Sequence, residues 1–351
     1  MKKLVRLTVI ILIAQALVAV ARADDVSDFY RGRTIQLIVG YGPGGGYDVF
    51  SRLIARYMPK YMPGNPSIVV ENMPGAGSLT SVNYLYSVAP KDGTVFASID
   101  RSMPLLGLLD VNKGVKFDVR KFTWLGSSSD FSDDASIMWV RKDAKNKTVE
   151  DARVSGGPPL LLGSTGQGGT GNDVTNILRD ALHLNIKMIS GYPDSNAINL
   201  AMERGEVEGR VVDYSSIVST EPQWLTPDGP MRAFLQFGRA TRNPNFPDTP
   251  TARELAQNEN DRLFIELAET PNLVARPFAA PPGVPPDRAE ALRNAFMETH
   301  RDPGFLADAK KLGLGISPID DTQILKAIDK ITNAPPALLD RLRAIYRADQ
   351  N

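Results

Sequence analysis

The sequence predicts an α/β protein made of two similar units in tandem, and three observations lead there. Short continuous apolar runs recur along the chain, as strands buried on both faces require. Two of these runs, 35–39 and 160–163, enter glycine-rich turns. Apolar residues at helical spacing follow each turn. Strand alternating with helix gives a mostly parallel sheet with helices on its faces.

In order, Ile35 to Val39 is the first strand, and 40–47 (GYGPGGGY) is its turn. Asp48 stands where a helix N-cap is expected. Val49, Phe50, Leu53, Ile54, Tyr57 and Met58 follow at helical spacing until Pro59. Ser67 to Glu71 is the next strand, Asn72 to Gly77 the next turn, and Ser78 the expected cap of a helix carrying Leu79, Val82, Leu85 and Tyr86. Thr94 to Ile99 is a third strand. The pattern then restarts with Ile137 to Val140 and Leu160 to Gly163. A second glycine turn covers 164–171 (STGQGGTG), and Asn172 or Asp173 is the expected cap. Ile186 to Ile189 is a strand, and a helix to Arg204 ends on Gly205, a good residue just past a helix. Gly209 to Val212 is a strand ending at Asp213. From about residue 285 the pattern is helical.

A chain of 351 residues fits roughly two domains. Hydrophobic residues at 42% and charged residues at 23% are enough for a sizeable core, which sets aside disordered and multi-span membrane classes. Lys+Arg and Asp+Glu number 40 each, so no basic excess supports nucleic-acid binding. The absence of cysteine excludes disulfides, thiolate metal sites and a Cys nucleophile.

Residues 1–23 read as a signal peptide. Lys2, Lys3 and Arg6 precede an apolar run, and Ala21-Arg22-Ala23 gives the small-x-small pattern for cleavage after Ala23. The expected mature chain keeps 36 basic and 40 acidic groups, a formal charge of −4.

Both glycine turns match G-x-G-x-x-G, through Gly40, Gly42 and Gly45, and through Gly166, Gly168 and Gly171. A dinucleotide reading would add Glu71 as ribose partner. Pro43 inside the first turn and the export signal weigh against it. Without a nucleotide, such a turn still presents unpaired N–H groups at a helix N-terminus, where the dipole adds positive character. That arrangement suits an anion. Two such turns facing each other would grip a small carboxylate from both sides. The plainer alternative is that the glycines only permit tight strand-to-helix turns.

Catalytic and metal constellations are poor. His183 and His300 are the two histidines and neither adjoins a motif. No Gly-x-Ser-x-Gly or Ser-x-x-Lys occurs, no metal-ligand spacing is visible, and Asp133-Asp134 and Asp320-Asp321 read as solvated loops or caps. No catalytic residue, metal or cofactor is therefore expected.

The order and spacing of 42–48 (GPGGGYD), 70–77 (VENMPGAG) and 89–94 (APKDGT) resemble the periplasmic receptors of tripartite tricarboxylate transporters, also called Bug-type receptors. Residues 161–171, 191–193 to 212–213, and 278–285 (FAAPPGVP) are similar to later segments of that family. The resemblance implies a type II periplasmic-binding-protein fold: two α/β lobes around a cleft, with a hinge crossed twice. It implies a first lobe of 24–126 plus 233–315, a second of 127–232, and C-terminal helices over 316–351. It further implies a monomeric periplasmic receptor for a small organic acid, served by membrane permease subunits, that grips its ligand largely through backbone amides and waters. By the same match the ligand residues are Tyr41, Gly42, Gly44, Gly45, Gly46 and Asp48; then Gly75, Gly77 and Ser78; then Ser164, Thr165, Gly166, Gly168 and Gly169; then Tyr192 with Asp213. Asn172, near a position often held by His, counts with these ligand residues; the other departures are Pro43 for the usual Ala, Met73 for Arg, and 100–102 (DRS) in place of small polar residues. Arg101 follows a strand whose end should face the cleft, so it is a candidate partner of a second carboxylate; the plainer alternative, given more weight, is a surface Arg paired with Asp100 or another acid. An exported enzyme on the same fold, or a sensor for a two-component system, stays open as an alternative.

Overall fold

Two mixed sheets, each clothed in helices, divide the chain between them. The structure, a computed structural model, describes residues 26–111, 113–130, 135–154 and 156–348. The expected leader and Asp133-Asp134 lie outside the described residues.

The first sheet contains β1 (Thr34–Val39), β2 (Ser67–Asn72), β3 (Val95–Ser98), β4 (Thr123–Ser127), β10 (Pro277–Ala280) and β11 (Ile319–Asp320), in the order β11-β4-β10-β3-β1-β2. The second contains β5 (Ser136–Arg141), β6 (Leu160–Ser164), β7 (Ile186–Ser190), β8 (Gly209–Asp213) and β9 (Met231–Phe237), in the order β7-β6-β8-β5-β9. Both are mixed rather than mostly parallel. β1 pairs parallel with β2 and β3, but β10 runs antiparallel between β3 and β4. Likewise β6 pairs parallel with β7 and β8, while β5 runs antiparallel to β8 and β9. The runs 136–140 and 277–280 are buried throughout, and an apolar run carries no sign of its direction.

Burial on both faces explains the composition of β1. Ile35 and Leu37 join Phe50, Ile54, Phe278 and Phe296 in one core, and Ile38 faces Val82, Leu85 and Ala97 in another. Trp139, Trp224, Ile198 and Met202 make a separate core in the second sheet's half.

The expected boundary at 232/233 cuts β9, a strand of the second sheet. The chain re-enters the first sheet at Pro277 instead, after the helix Glu259–Ala268 and the short turn Thr270–Val274. The two crossings run side by side. Ser128 N donates to the Arg276 carbonyl at 3.0 Å, Ala275 N donates to the Ser129 carbonyl at 3.0 Å, and Arg276 N donates to Ser127 Oγ at 2.8 Å. The last helix, Pro336–Ala348, ties back to the second half, where Tyr346 OH donates to Asp173 Oδ2 at 2.6 Å and Arg341 pairs with Asp180 and Asp261.

Candidate functional site

β1 and β6 each end in a glycine turn that starts a helix, Gly46–Tyr57 in one case and Thr170–Ala181 in the other. Neither expected cap is at the cap position. Gly45 and Gly169 stand there, and the acids lie in the first turn of their helices. From inside the helix each acid reaches back to brace a loop glycine held at positive φ. Asp48 accepts Gly44 N at 2.8 Å, with Gly44 at φ +82, and Asp173 accepts Gly168 N at 2.9 Å, with Gly168 at φ +87. Asp48 also accepts from Arg52 Nε at 2.8 Å and Asn72 Nδ2 at 2.9 Å. Burial pushes its carboxyl up, but these three donors together hold it below the usual carboxylate range. Ser78 does not cap with its side chain either; its Oγ accepts Asp100 N at 3.3 Å.

The two turns border one cavity, which leaves about 40 Å³ open to water. Roughly 10–15 Å³ of such space admits a single water, so a small polar molecule is the natural occupant. The first turn contributes Tyr41, Gly42, Gly45, Gly46 and Tyr47 to its walls, and the second contributes Ser164, Thr165, Thr170 and Gly171. Asp100, Ser195, Arg210, Asp213 and Ser216 complete the polar lining.

Two buried carboxylates, of Asp100 and Asp213, line the cavity with Arg210, and two further buried guanidinium groups, of Arg101 and Arg276, stand behind Asp213. Asp213 Oδ2 lies 2.8 Å from Arg101 Nη2 and 3.0 Å from Arg276 Nη1, and Ser136 Oγ donates to its other oxygen at 3.0 Å. Asp100 accepts Tyr41 OH at 2.5 Å, and it accepts Thr170 Oγ1 at 2.9 Å from the opposite half. Burial pushes the Asp100 carboxyl up, while its donors and Arg101 pull it down less strongly. Tyr41 stacks on Tyr47 with ring centroids 5.1 Å apart, and the Arg276 guanidinium lies 4.4 Å over the Tyr47 ring.

Of the residues expected at the ligand, Tyr41, Gly42, Gly45, Gly46, Ser164, Thr165 and Asp213 line the cavity. Gly44 and Asp48 lie behind it as braces. Gly77 packs against Gly169 across the cleft, and Gly75 closes on Thr80. Gly168 packs on Met103 and Leu106, and a Cβ on Gly166 would meet open space, while its carbonyl accepts Gly169 N at 3.1 Å. Asn172 Oδ1 accepts Ser164 Oγ at 3.0 Å, one step from the cavity. Tyr192 packs on the core of Trp139, Ile198 and Trp224. Arg101 pairs with an acid, as the plainer alternative has it, but it is buried rather than on the surface. Its guanidinium is held by Asp213 and by Asn272 Oδ1 at 3.0 Å, and Arg101 is not among the residues that line the cavity.

Arg210, Thr170, Ser216 and Arg276 were not legible as site residues. A signal exists for Arg276, a single cation inside the otherwise apolar stretch 273–280 (LVARPFAA), whereas Arg210 stands among Glu208 and Asp213 in 207–213 (VEGRVVD) and has no such signal. A charged residue is almost never fully buried unless it is paired.

Two α/β halves, joined by a double crossing and meeting over a polar cavity, define a two-lobed solute-binding protein of the periplasmic-binding-protein class. The chain belongs to the receptors of the tripartite tricarboxylate transporter family, whose model matches residues 51–342. A UPF0065 protein of Bordetella pertussis is 25% identical over 297 residues, covering 84% of either chain. The periplasmic binding protein BugD superposes with a TM-score of 0.70 at 18% identity, over 90% of this chain and 98% of that one. MatC of Rhodopseudomonas palustris, solved with bound malate, gives 0.66 at 19% identity, over 91% and 99%.

Proposed function

We propose that this protein is a periplasmic receptor that captures a small organic acid between its two glycine turns and presents it to the membrane permease subunits of a tripartite tricarboxylate transporter. One observation carries the reading: turns from opposite sheets, each opening a helix, border the same small polar cavity. Loop N–H groups and helix dipoles on both sides favour an anion between them. The malate bound to MatC is an acid of this class. Cleavage after Ala23 would release the receptor as a soluble monomer.

The test is native mass spectrometry of the protein purified from periplasm, followed by calorimetric titration with small mono- and dicarboxylates. One small acid bound per chain, with compaction by small-angle scattering, is the expected result. A protein that carries no acid and binds none of the panel would remove the reading.

A further inference from the structure

Arg210 is a buried cation whose protein partners are all neutral. It stands in β8, 5% exposed, three residues before Asp213. Its Nη1 donates to the Ser195 carbonyl at 2.8 Å and to Asn199 Oδ1 at 2.7 Å, and its Nη2 donates to Ser195 Oγ at 3.1 Å. Arg101 and Arg276 both pair with Asp213, but Arg210 has no ion pair among the described residues. The link to an acid is indirect: Asn199 Nδ2 donates onward to Glu221 Oε1 at 2.8 Å.

A guanidinium carries five N–H groups. The three bonds to Ser195 and Asn199 use three of them. Nε is buried with no hydrogen-bond partner, and one N–H of Nη2 is left over as well. A role confined to tying β8 to the helix Ser195–Glu203 accounts for the three bonds but not for the two spare donors. Burying a charge without a counter-charge is costly, and burial pulls the Arg210 guanidinium down to about 10 even with Asp213 and Glu221 nearby. Arg210 also lines the cavity between the glycine turns. Two free N–H groups are what one carboxylate accepts in paired fashion.

We infer that Arg210 is the specificity-determining residue for a second carboxylate on the ligand, and that it makes the receptor select dicarboxylates over monocarboxylates. The inference rests on the acid-receptor reading above. One carboxylate lies at the glycine turns, and the other supplies the direct ion pair that Arg210 lacks among the described residues.

The test uses the straight-chain diacids succinate, glutarate and adipate against butyrate, valerate and caproate, with Kd from calorimetry. The wild type should prefer a diacid over its matching monoacid by at least tenfold. In Arg210→Gln that diacid should weaken about 10- to 100-fold, the range of a charged hydrogen bond, while the monoacid changes less than threefold. Arg210→Lys keeps the charge but loses the fork, so it should fall between the two; it replaces Arg210→Gln if melting shows that variant unfolded. A wild type that binds monoacids as tightly as diacids overturns the inference and leaves the receptor reading standing. So does a folded variant with unchanged diacid preference. A wild type that binds none of the six acids removes both.

Discussion

Gly77 and Gly169 meet backbone to backbone across the cleft. A Cβ on Gly77 would stand 2.3 Å from the Gly169 nitrogen and 2.8 Å from its Cα. Gly77 also sits at φ +60. Conformation and close approach therefore both demand glycine there. The contact brings the 75–78 turn of one lobe onto the second glycine turn of the other, beside the bonds between Asp100 and Thr170.

Gly77→Ala should hold the lobes apart. The expected result is at least a tenfold loss of ligand affinity, about 1.4 kcal/mol, with a larger radius of gyration at saturating ligand. Gly32→Ala is the control, because Gly32 has φ +68 but nothing within 4 Å of its Cβ position. It should cost stability alone, roughly 1 kcal/mol, and leave binding unchanged. Equal binding losses in the two variants would assign the effect to backbone strain.

The neighbouring glycines of the first turn separate two further effects. A Cβ on Gly46 would lie 2.2 Å from Ser216 Oγ of the opposite lobe, whereas one on Gly45 would meet Ser195 Cβ at an ordinary 3.8 Å. Gly46→Ala should therefore obstruct closure, and Ser216→Gly in the same chain should restore most of the affinity. Gly45→Val should fold normally and weaken binding at least tenfold by filling the cavity. A Gly46→Ala chain that closes fully around its ligand, as judged by scattering, would contradict the first expectation.

What was legible in the sequence was local. The runs 35–39 and 160–163, their glycine turns and the helices after them are read from neighbouring residues, and the structure places them as expected. The cap positions are not legible, because Asp48 and Asp173 act from inside the helix, reaching back to a glycine N–H. The antiparallel insertion of β10 was not legible because four buried residues, Pro277–Ala280, say nothing of the strands they join. Arg101 follows β3, but its partner Asp213 comes from the other sheet, and pairing at that separation has no signal in spacing.

That pairing gives the next prediction. Asp213 holds Arg101 and Arg276 at 2.8 and 3.0 Å, and all three side chains are buried. Asp213→Asn leaves two guanidinium groups short of a counter-charge, and breaking a buried pair typically costs about 3–5 kcal/mol. Both arginines adjoin strands of the first sheet, while Asp213 ends β8 of the second. The cost should appear as a lower melting temperature and as weaker ligand affinity together. A variant that melts and binds like the wild type would show that the pair contributes nothing to the contact between lobes.

His300 contributes its own acid lability to the first lobe. It follows the helix Pro286–Thr299, 3% exposed, with its ring 4.5 Å from that of Phe296 and 5.0 Å from that of Phe305. Nδ1 donates to the Phe296 carbonyl at 2.7 Å, which leaves Nε2 buried without a partner. Burial pulls the imidazole from 6.5 down to about 4. A folded-state value below the unfolded one means that the unfolded chain takes up the proton first. The stability is therefore fully present above pH 6.5 and is lost as pH falls towards 4. By pH 4 the loss should be roughly 3 kcal/mol. His300→Phe removes this titration at the expense of one hydrogen bond, about 1 kcal/mol. The variant should be slightly less stable than the wild type at pH 7.5, and the gap should close or reverse below pH 5. Urea midpoints at four pH values between 7.5 and 4.5 measure the difference, so that titrations shared by both chains cancel. Parallel curves over that range would show that His300 carries no acid lability.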